Sequence, residues 1–356
     1  MNAQQYIEKL TNLLSGLSES DLRASVEYYL EALEDRLEDG MTEEEAIREL
    51  GTPEAAAEKI LQEVSVSKRA LAADPKQDSA VNVTTPFTGI CVQSEDCDVR
   101  FVQSSDGKCV VSHANNRFST CSVRVEEGVL TIEAASKSRF SLSGFLNMGR
   151  GTDVVISLPS KPYQSLSVWC GCGDVDVPSF AFETARVESD SGDIRFQAAA
   201  NEIELVSKSG DIEYSGSRDL PARRGSLSTV SGDIHISSIK GGNWEIDAAN
   251  GDTEIRNASA FLLNANSSNG DIRLSHVILE NTLAVSTANG DISLIGCDAQ
   301  NVTLETANGD IRASLLTPKQ FHAESSCGDV RVPVSAEGGI CTAASSSGDI
   351  TITLQK

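Results

Sequence analysis

Two periodicities divide the chain. Up to about residue 66, apolar residues recur every three to four positions, the spacing of one helical face. From Val81 onward they alternate with polar residues, the spacing of a strand with one face buried. In the first region Ile7, Leu10, Leu13, Leu14 and Leu17 form one stripe, and Gly16 stops the helix. Ser18 with Asp21 resembles a capping box and opens a second helix with the stripe Leu22, Val26, Tyr29, Leu30, Leu33 and Leu37, ended by Gly40. Thr42 with Glu45 caps a third, carrying Ala46, Ile47 and Leu50 and closed by Gly51. Thr52 caps a fourth with Pro53 at its first position, where a missing N–H costs nothing. The pattern predicts a small α-helical domain over residues 1–66 and a polar linker over 67–80 that contains Pro75.

Residues 81–164 read as short, irregular strands such as Val99-x-Phe101, Val123-x-Val125 and Val154-x-Ile156-x-Leu158, interrupted by a surface loop over 136–151. From residue 165 to 356 the pattern becomes a repeat. Its marks are Gly173-Asp174, Gly192-Asp193, Gly210-Asp211, Gly232-Asp233, Gly251-Asp252, Gly270-Asp271, Gly290-Asp291, Gly309-Asp310, Gly328-Asp329 and Gly348-Asp349. Successive glycines lie 18 to 22 residues apart, mostly 19. Aligned on this pair, every flanking slot is chemically uniform. The residue after each Asp is apolar (Val175, Ile194, Ile212, with Thr253 the exception), as is the one two further on (Val177, Phe196, Tyr214). Five residues before the Gly sits another apolar slot (Val168, Val187, Leu205), and three before it a small, mostly hydroxyl one (Ser189, Ser207, Thr229).

Each unit is therefore strand, tight turn, strand and looser return. One unit cannot bury its apolar face, but stacked units can. The fold class is mostly β: a single-stranded parallel β-helix, a solenoid of ~19-residue coils, behind the helical domain. Right-handed winding is expected, because parallel crossovers favour it. Ten coils at ~4.8 Å make a rod roughly 50 Å long.

The repeated carboxylates are the first candidate chemistry. Aspartates ~4.8 Å apart could bind Ca²⁺, but calcium-binding solenoids use a denser Gly-Gly-x-Gly-x-Asp pattern that is absent here. The register instead makes the ten pairs a structural turn ladder, in which Gly supplies φ > 0 and Asp bonds backbone N–H groups of the turn. Cys170 and Cys172 fall in small-residue slots, as Cys327 does, so they need not be a redox pair. His113, His235, His276 and His322 occupy four unrelated slots, which supports no triad or metal cluster. Asp247 and Arg256 share a groove only by chance of register. Polysaccharide lyases also use parallel β-helices, but a fold does not carry its activity with it. The sequence assigns no catalytic residue, no cofactor and no metal.

Charge narrows the partners. Of a formal net charge of −23, residues 1–64 hold 16 acidic and five basic side chains. Such a balance argues against direct nucleic-acid binding, since nothing neutralises phosphates, and suits a basic protein partner or a simply well-solvated surface. No run of ~18 apolar residues predicts a membrane span, and MNAQQYIEKL lacks the features of a signal peptide. Nine cysteines at irregular positions fit reduced thiols. The expected location is the cytoplasm.

Two resemblances follow. Tyr6-Ile7…Leu10…Leu14…Leu17, Tyr28-Tyr29 and Gly40-Met-Thr-Glu-Glu-Glu-Ala-Ile…Leu50-Gly-Thr-Pro resemble the HAAS (helix-turn-helix-associated α-helical signalling) domain. That family usually precedes membrane helices and is often encoded beside PadR-type transcription regulators. Residues 81–356, through the whole repeat register and the step Ile156-Ser-Leu-Pro159, resemble the Toastrack family of bacterial adhesin-like β-solenoids. Together the resemblances imply a non-enzymatic scaffold or sensor in cell-envelope stress signalling. The helices would dock a PadR-type regulator or an envelope-stress component, and the solenoid would present a second surface. A cell-surface adhesin is the alternative, and a carbohydrate-active enzyme a more distant one. The oligomeric state is open.

Overall fold

The structure, a computed structural model, describes residues 3–17, 41–61, 78–114, 119–136, 153–216 and 220–355, together with 22, 25, 26, 29, 30, 32, 33 and 36. The expected linker, for the most part, and the expected loop over 136–151 lie outside these residues. So do Ser18, Asp21, Leu37 and Gly40. The chain divides into two compact units, one of them mainly the residues up to Ser79 and the other Ala80–His113, Cys121–Ala135 and Asp153–Lys356.

In the first unit the helix Ala3–Leu13 buries Tyr6 and Leu10, and Leu14 follows four residues on. The stripe runs at a spacing of four from Tyr6, which leaves Leu13 42% exposed rather than inside. Tyr29 and Leu33 meet that face, with the Tyr6 and Tyr29 rings 6.3 Å apart, and Ala46, Ile47, Ala56, Ala57 and Ile60 complete the core. The helix Glu43–Leu50 begins at the full capping box expected of Thr42 and Glu45. Residues 53–61 form a further helix, whose Ala55 N–H donates to the Thr42-like cap Thr52 at 3.2 Å.

The second unit is the solenoid. Coils are named below by their turn aspartate. Pro162–Cys172 pairs in parallel with Ala181–Ser191, that strand with Ala199–Ser209, and so on to Asn301–Asn308. The register keeps like slots together. Val168, Val187, Leu205, Leu227 and Ile246 form one buried column, while Val175, Ile194, Ile212, Ile234, Thr253 and Ile272 form another. These positions are at most 1% exposed, so each apolar side chain contributes about 1.5–3 kcal/mol by leaving water.

At both ends the stacking order departs from the order along the chain. The segment Gly89–Ser94 with Val99–Gln103 forms an Asp98 coil, which sits between the later strands Val129–Ser136 and Val154–Leu158 on one side and the Asp174 coil on the other. At the far end Asn301–Asn308 pairs with Gly339–Ser347, and only that strand pairs with Lys319–Ser325. The Asp349 coil is thus inserted between the Asp310 and Asp329 coils. Gly338 and Gly339 make this possible: a Cβ on either would overlap the carbonyl oxygen of Pro318 or Gln300, respectively. Lys319 fixes the crossing, with its Nζ 2.6 Å from Asp298 Oδ1 and 2.6 Å from Thr317 Oγ1 while Lys319 is 4% and Asp298 8% exposed.

The ends differ in how they finish. Val154–Leu158 is covered by the antiparallel strand Cys109–Ala114, which buries Cys109 and Val111 and is itself paired with Asp78–Val83. Lys319–Ser325 and Val330–Arg331 have a partner on one side only among the described residues.

Candidate interaction surface

The ten predicted Gly-Asp pairs all fall on one edge of the stack, where they form a ladder different from the one expected. Nine of the ten Asp carboxylates accept a backbone N–H from a neighbouring coil rather than from their own turn, and the tenth, Asp329, meets Arg331. The Asp193 N–H donates to Asp174 Oδ1, Asp211 to Asp193, Asp233 to Asp211, and onward through Asp252, Asp271, Asp291 and Asp310, at 2.7–2.9 Å. Through the inserted coil, Asp349 donates to Asp310 and Asp329 to Asp349. Glycine serves both conformation and approach, with φ positive as expected at Gly192, Gly210, Gly232, Gly251, Gly270, Gly309 and Gly348. At Gly251, φ is 155° and a Cβ would overlap the carbonyl oxygen of Gly232 in the next coil.

The ladder has one more rung than its sequence signature. Asp174 N–H donates to Asp98 Oδ1 at 3.0 Å. Around Asp98 the slots are filled in register by Val92, Ser94, Val99 and Phe101, all buried. Only Cys97, where the others have glycine, hid this unit.

The ladder's carboxylates are already committed. Their Oδ1 atoms hold amides, and several Oδ2 atoms hold arginine. Arg273 bridges Asp252 (2.7 Å) and Asp271 (2.5 Å), Arg312 bridges Asp291 and Asp310, and Arg331 meets Asp329 at 2.8 Å. Burial works to raise the Asp252 carboxyl, but the Arg273 hydrogen bond, the Asp271 amide and the Arg273 charge together hold it below its ordinary range. Among the described residues, no group of three or more His, Cys, Asp and Glu is placed to hold a metal.

Inside the turn the hydroxyl slot forms its own column. Thr287 Oγ1 donates to Gly270 O (3.1 Å), Thr306 to Gly290 O (3.0 Å) and Ser345 to Gly309 O (3.1 Å). Cys170 fits this column, with Sγ 3.3 Å from Gly173 O, and burial pushes its thiol up to about 12. It is an inert packing group. Cys172 and Cys327 are exposed at the turn, and none of the nine cysteines forms a disulfide. The histidines do not converge: His235 lies in the outward column between Glu213 and Glu254, and His276 at a left-handed turn with φ 55°. Asp247 accepts from Asn266, and Arg256 pairs with Glu254 at 2.5 Å, so these two form no joint site.

A cleft of about 520 Å³ lies over the return loops, lined by Lys161, Phe180, Gln197, Ser215, Gly216 and Leu220 among others. Its one cation among the described residues is engaged elsewhere. Lys161 Nζ donates to Phe87 O at 3.2 Å and lies 5.2 and 5.1 Å from the Phe87 and Tyr163 ring centres.

What the solenoid does offer is a flat face with an uneven distribution of charge. In the strands before the turns of the Asp193 to Asp252 coils, outward positions carry Arg186, Glu188, Glu204, Lys208, Glu245 and Asp247, among others; Arg186 bonds Glu188 and Glu204. In the next four stacked coils, the Asp271 to Asp310 coils and the inserted Asp349 coil, the same columns hold Asn264, Ala284, Thr303 and Thr342, and Asn266, Ser286, Glu305 and Ala344. Glu305 is the single charge there. Amides tie this half together from coil to coil. Asn269 donates to Asn250, Asn289 to Asn269 and Asn308 to Asn289, each at 2.9 Å, and Ser286 donates to Asn266 at 2.9 Å. Sequence reasoning missed this face, because its signal is charge missing from one set of outward slots.

A family model described as Toastrack DUF4097 matches residues 87–295 and 220–356, and one described as HAAS matches residues 5–59. Among curated proteins none matches. Two solved structures are similar. One is a candidate adhesin from Bacteroides fragilis (16% identity, 67% of this chain and 97% of that one, TM-score 0.33). The other is a candidate cell adhesion protein from Clostridium sporogenes (10% identity, 78% of this chain and 100% of that one, TM-score 0.16). Both scores are too low to carry fold or function across. The family matches and the geometry agree on a β-solenoid with a small helical region at its N-terminal side.

Proposed function

The chain belongs to the Toastrack DUF4097 family, and from that premise we propose that it is a non-enzymatic scaffold or sensor with two docking surfaces, one on the helices and one on the solenoid. The observation that carries this reading is the face around Asn264, Ala284, Thr303 and Thr342. It stays almost uncharged on a chain of net charge −23. Depletion of charge is what distinguishes the centre of a protein interface from ordinary surface. The HAAS match supports a protein partner for the helices, where Leu13, Leu30 and Leu61 stand 40–43% exposed.

A PadR-type regulator or an envelope-stress component is the proposed partner, and the cytoplasm the proposed location. Among the described residues no helix is long and apolar enough to cross a membrane. The test is affinity capture from native cells followed by mass spectrometry, with three full-length baits: the natural chain, Leu13→Asp with Leu61→Asp, and Ala284→Lys with Ala344→Lys. A regulator lost only with the first pair assigns docking to the helices. A partner lost only with the second assigns it to the solenoid face. Identical captures with all three would sink the reading, and recovery of the protein in a cell-wall fraction would favour the adhesin alternative.

A further inference from the structure

The open end of the solenoid points to a function separate from both docking surfaces. In the interior coils the core slots are closed to solvent, as at Ile350, Ile311 and Cys341 (0% each). In the Asp329 coil the same slots are not: Val330 is 39% exposed, and Phe321, Ala323 and Val332 are only partly covered. Among the described residues its strands have partners on one side only. Unpaired edges of this kind recruit further strands, and natural sheets blunt them with caps, charges or bulges. The opposite end of this same stack has such a cap, an antiparallel strand.

We propose that a second copy of this chain covers the open end, through a two-fold contact that pairs Lys319–Ser325 antiparallel with itself. The antiparallel strand over Val154–Leu158 at the other end offers Lys319–Ser325 no bare parallel coil to stack on in register, which favours a self-complementary contact. The edge strand is self-complementary in its polar side chains. It reads Phe321-His322-Ala323-Glu324-Ser325, and a two-fold axis at Ala323 sets His322 of each copy opposite Glu324 of the other. His322 and Glu324 are both exposed. Mutual repulsion is low at this end too. Residues 319–340 carry Lys319, Arg331, Glu324, Asp329 and Glu337, a net −1 on a chain of −23.

Sedimentation equilibrium of the full-length protein, from about 1 to about 200 µM, covers the range of a small transient interface. The natural chain is expected to show a monomer–dimer equilibrium. Glu324→Lys alone removes the carboxylate opposite His322, and His322→Glu alone sets two carboxylates opposite one another; each should raise the dimer Kd about tenfold. The double variant sets a carboxylate opposite an ammonium and should bring the Kd back to the natural value or below. Because both side chains are solvent-exposed in the single chain, unchanged thermal unfolding of each variant at low concentration separates loss of pairing from loss of fold. A natural chain that stays monomeric throughout, or a dimer indifferent to all three variants, overturns the proposal.

Discussion

The two ends of the solenoid solve one problem in different ways. A stack of parallel coils always leaves its first and last strands with a bare side. Both ends here insert one segment out of chain order, so that it is held on two sides: the Asp98 coil at one end and the Asp349 coil at the other. Only the first end then adds an antiparallel strand, Cys109–Ala114, over its outermost coil. The second ends on bare strands whose apolar slots are half open. The difference teaches that insertion and capping are separable: one fixes the order of the coils, the other decides whether the edge can take another strand.

The sharpest way to break this comparison is at Lys319. Lys319→Met leaves Asp298 buried without its cation and should cost about 3–5 kcal/mol in urea unfolding, while the double replacement with Asp298→Asn should recover most of it. No equivalent buried ion pair is seen at the capped end among the described residues, so no single charge there should matter as much. The insertion glycines come next. Gly339→Ala drives a Cβ into the Gln300 carbonyl and should cost about 3 kcal/mol. Gly89→Ala, at the other insertion, meets Ser165 Oγ at 3.0 Å and Val129 Cγ2 at 3.1 Å, which can shift. Its expected cost is about 1 kcal/mol or less. Equal losses would mean that the two insertions are built alike.

The middle of the stack supplies a reference for both ends. Thr253 is 1% exposed in a column of Ile and Val, and its Oγ1 has no hydrogen-bond partner. Thr253→Val should stabilise the protein by about 1 kcal/mol. Amide exchange should slow in the Asp233 to Asp271 coils and remain unchanged at the open end, as expected when each coil contacts only its neighbours. The smallest effect is on pH. Because the folded Asp252 carboxyl lies below its ordinary range, its contribution is complete above the ordinary aspartate pKa of about 3.9 and is lost as pH falls through the lower folded value. Asp252→Asn should therefore flatten the acid limb of the stability curve below about pH 4, and leave stability at neutral pH lower than in the natural chain.

The repeat was legible because a coil can stack only if like residues meet in every slot, and that demand writes a period of about 19 residues into the chain. Thr42 and Glu45 were legible for the same local reason: a cap needs particular side chains at a particular spacing. The Asp98 coil was hidden by one substitution, Cys97 for glycine, although Val92, Ser94, Val99 and Phe101 kept register. The inserted order was not legible at all. Slots that are chemically equivalent say which columns form, but not which coil is the neighbour, and the spacings of 19 and 20 around Gly328 match those elsewhere. That information resides in tertiary contacts of Lys319, Gly338 and Gly339, none of which belongs to the repeat. The aspartate's true partner was hidden likewise, since an amide in the next coil and one in the same turn leave the same trace in sequence.

The insertion of the Asp349 coil also sets a timetable for synthesis. A ribosome makes the Asp310, Asp329 and Asp349 segments in that order, yet the last belongs between the other two. When the Asp329 segment emerges, its native neighbour does not yet exist. It must either wait or settle temporarily on the Asp310 coil and later yield that place. The chain therefore cannot complete its rod by simple zippering from the first coil to the last, and the final placement falls after the last coil has left the ribosome.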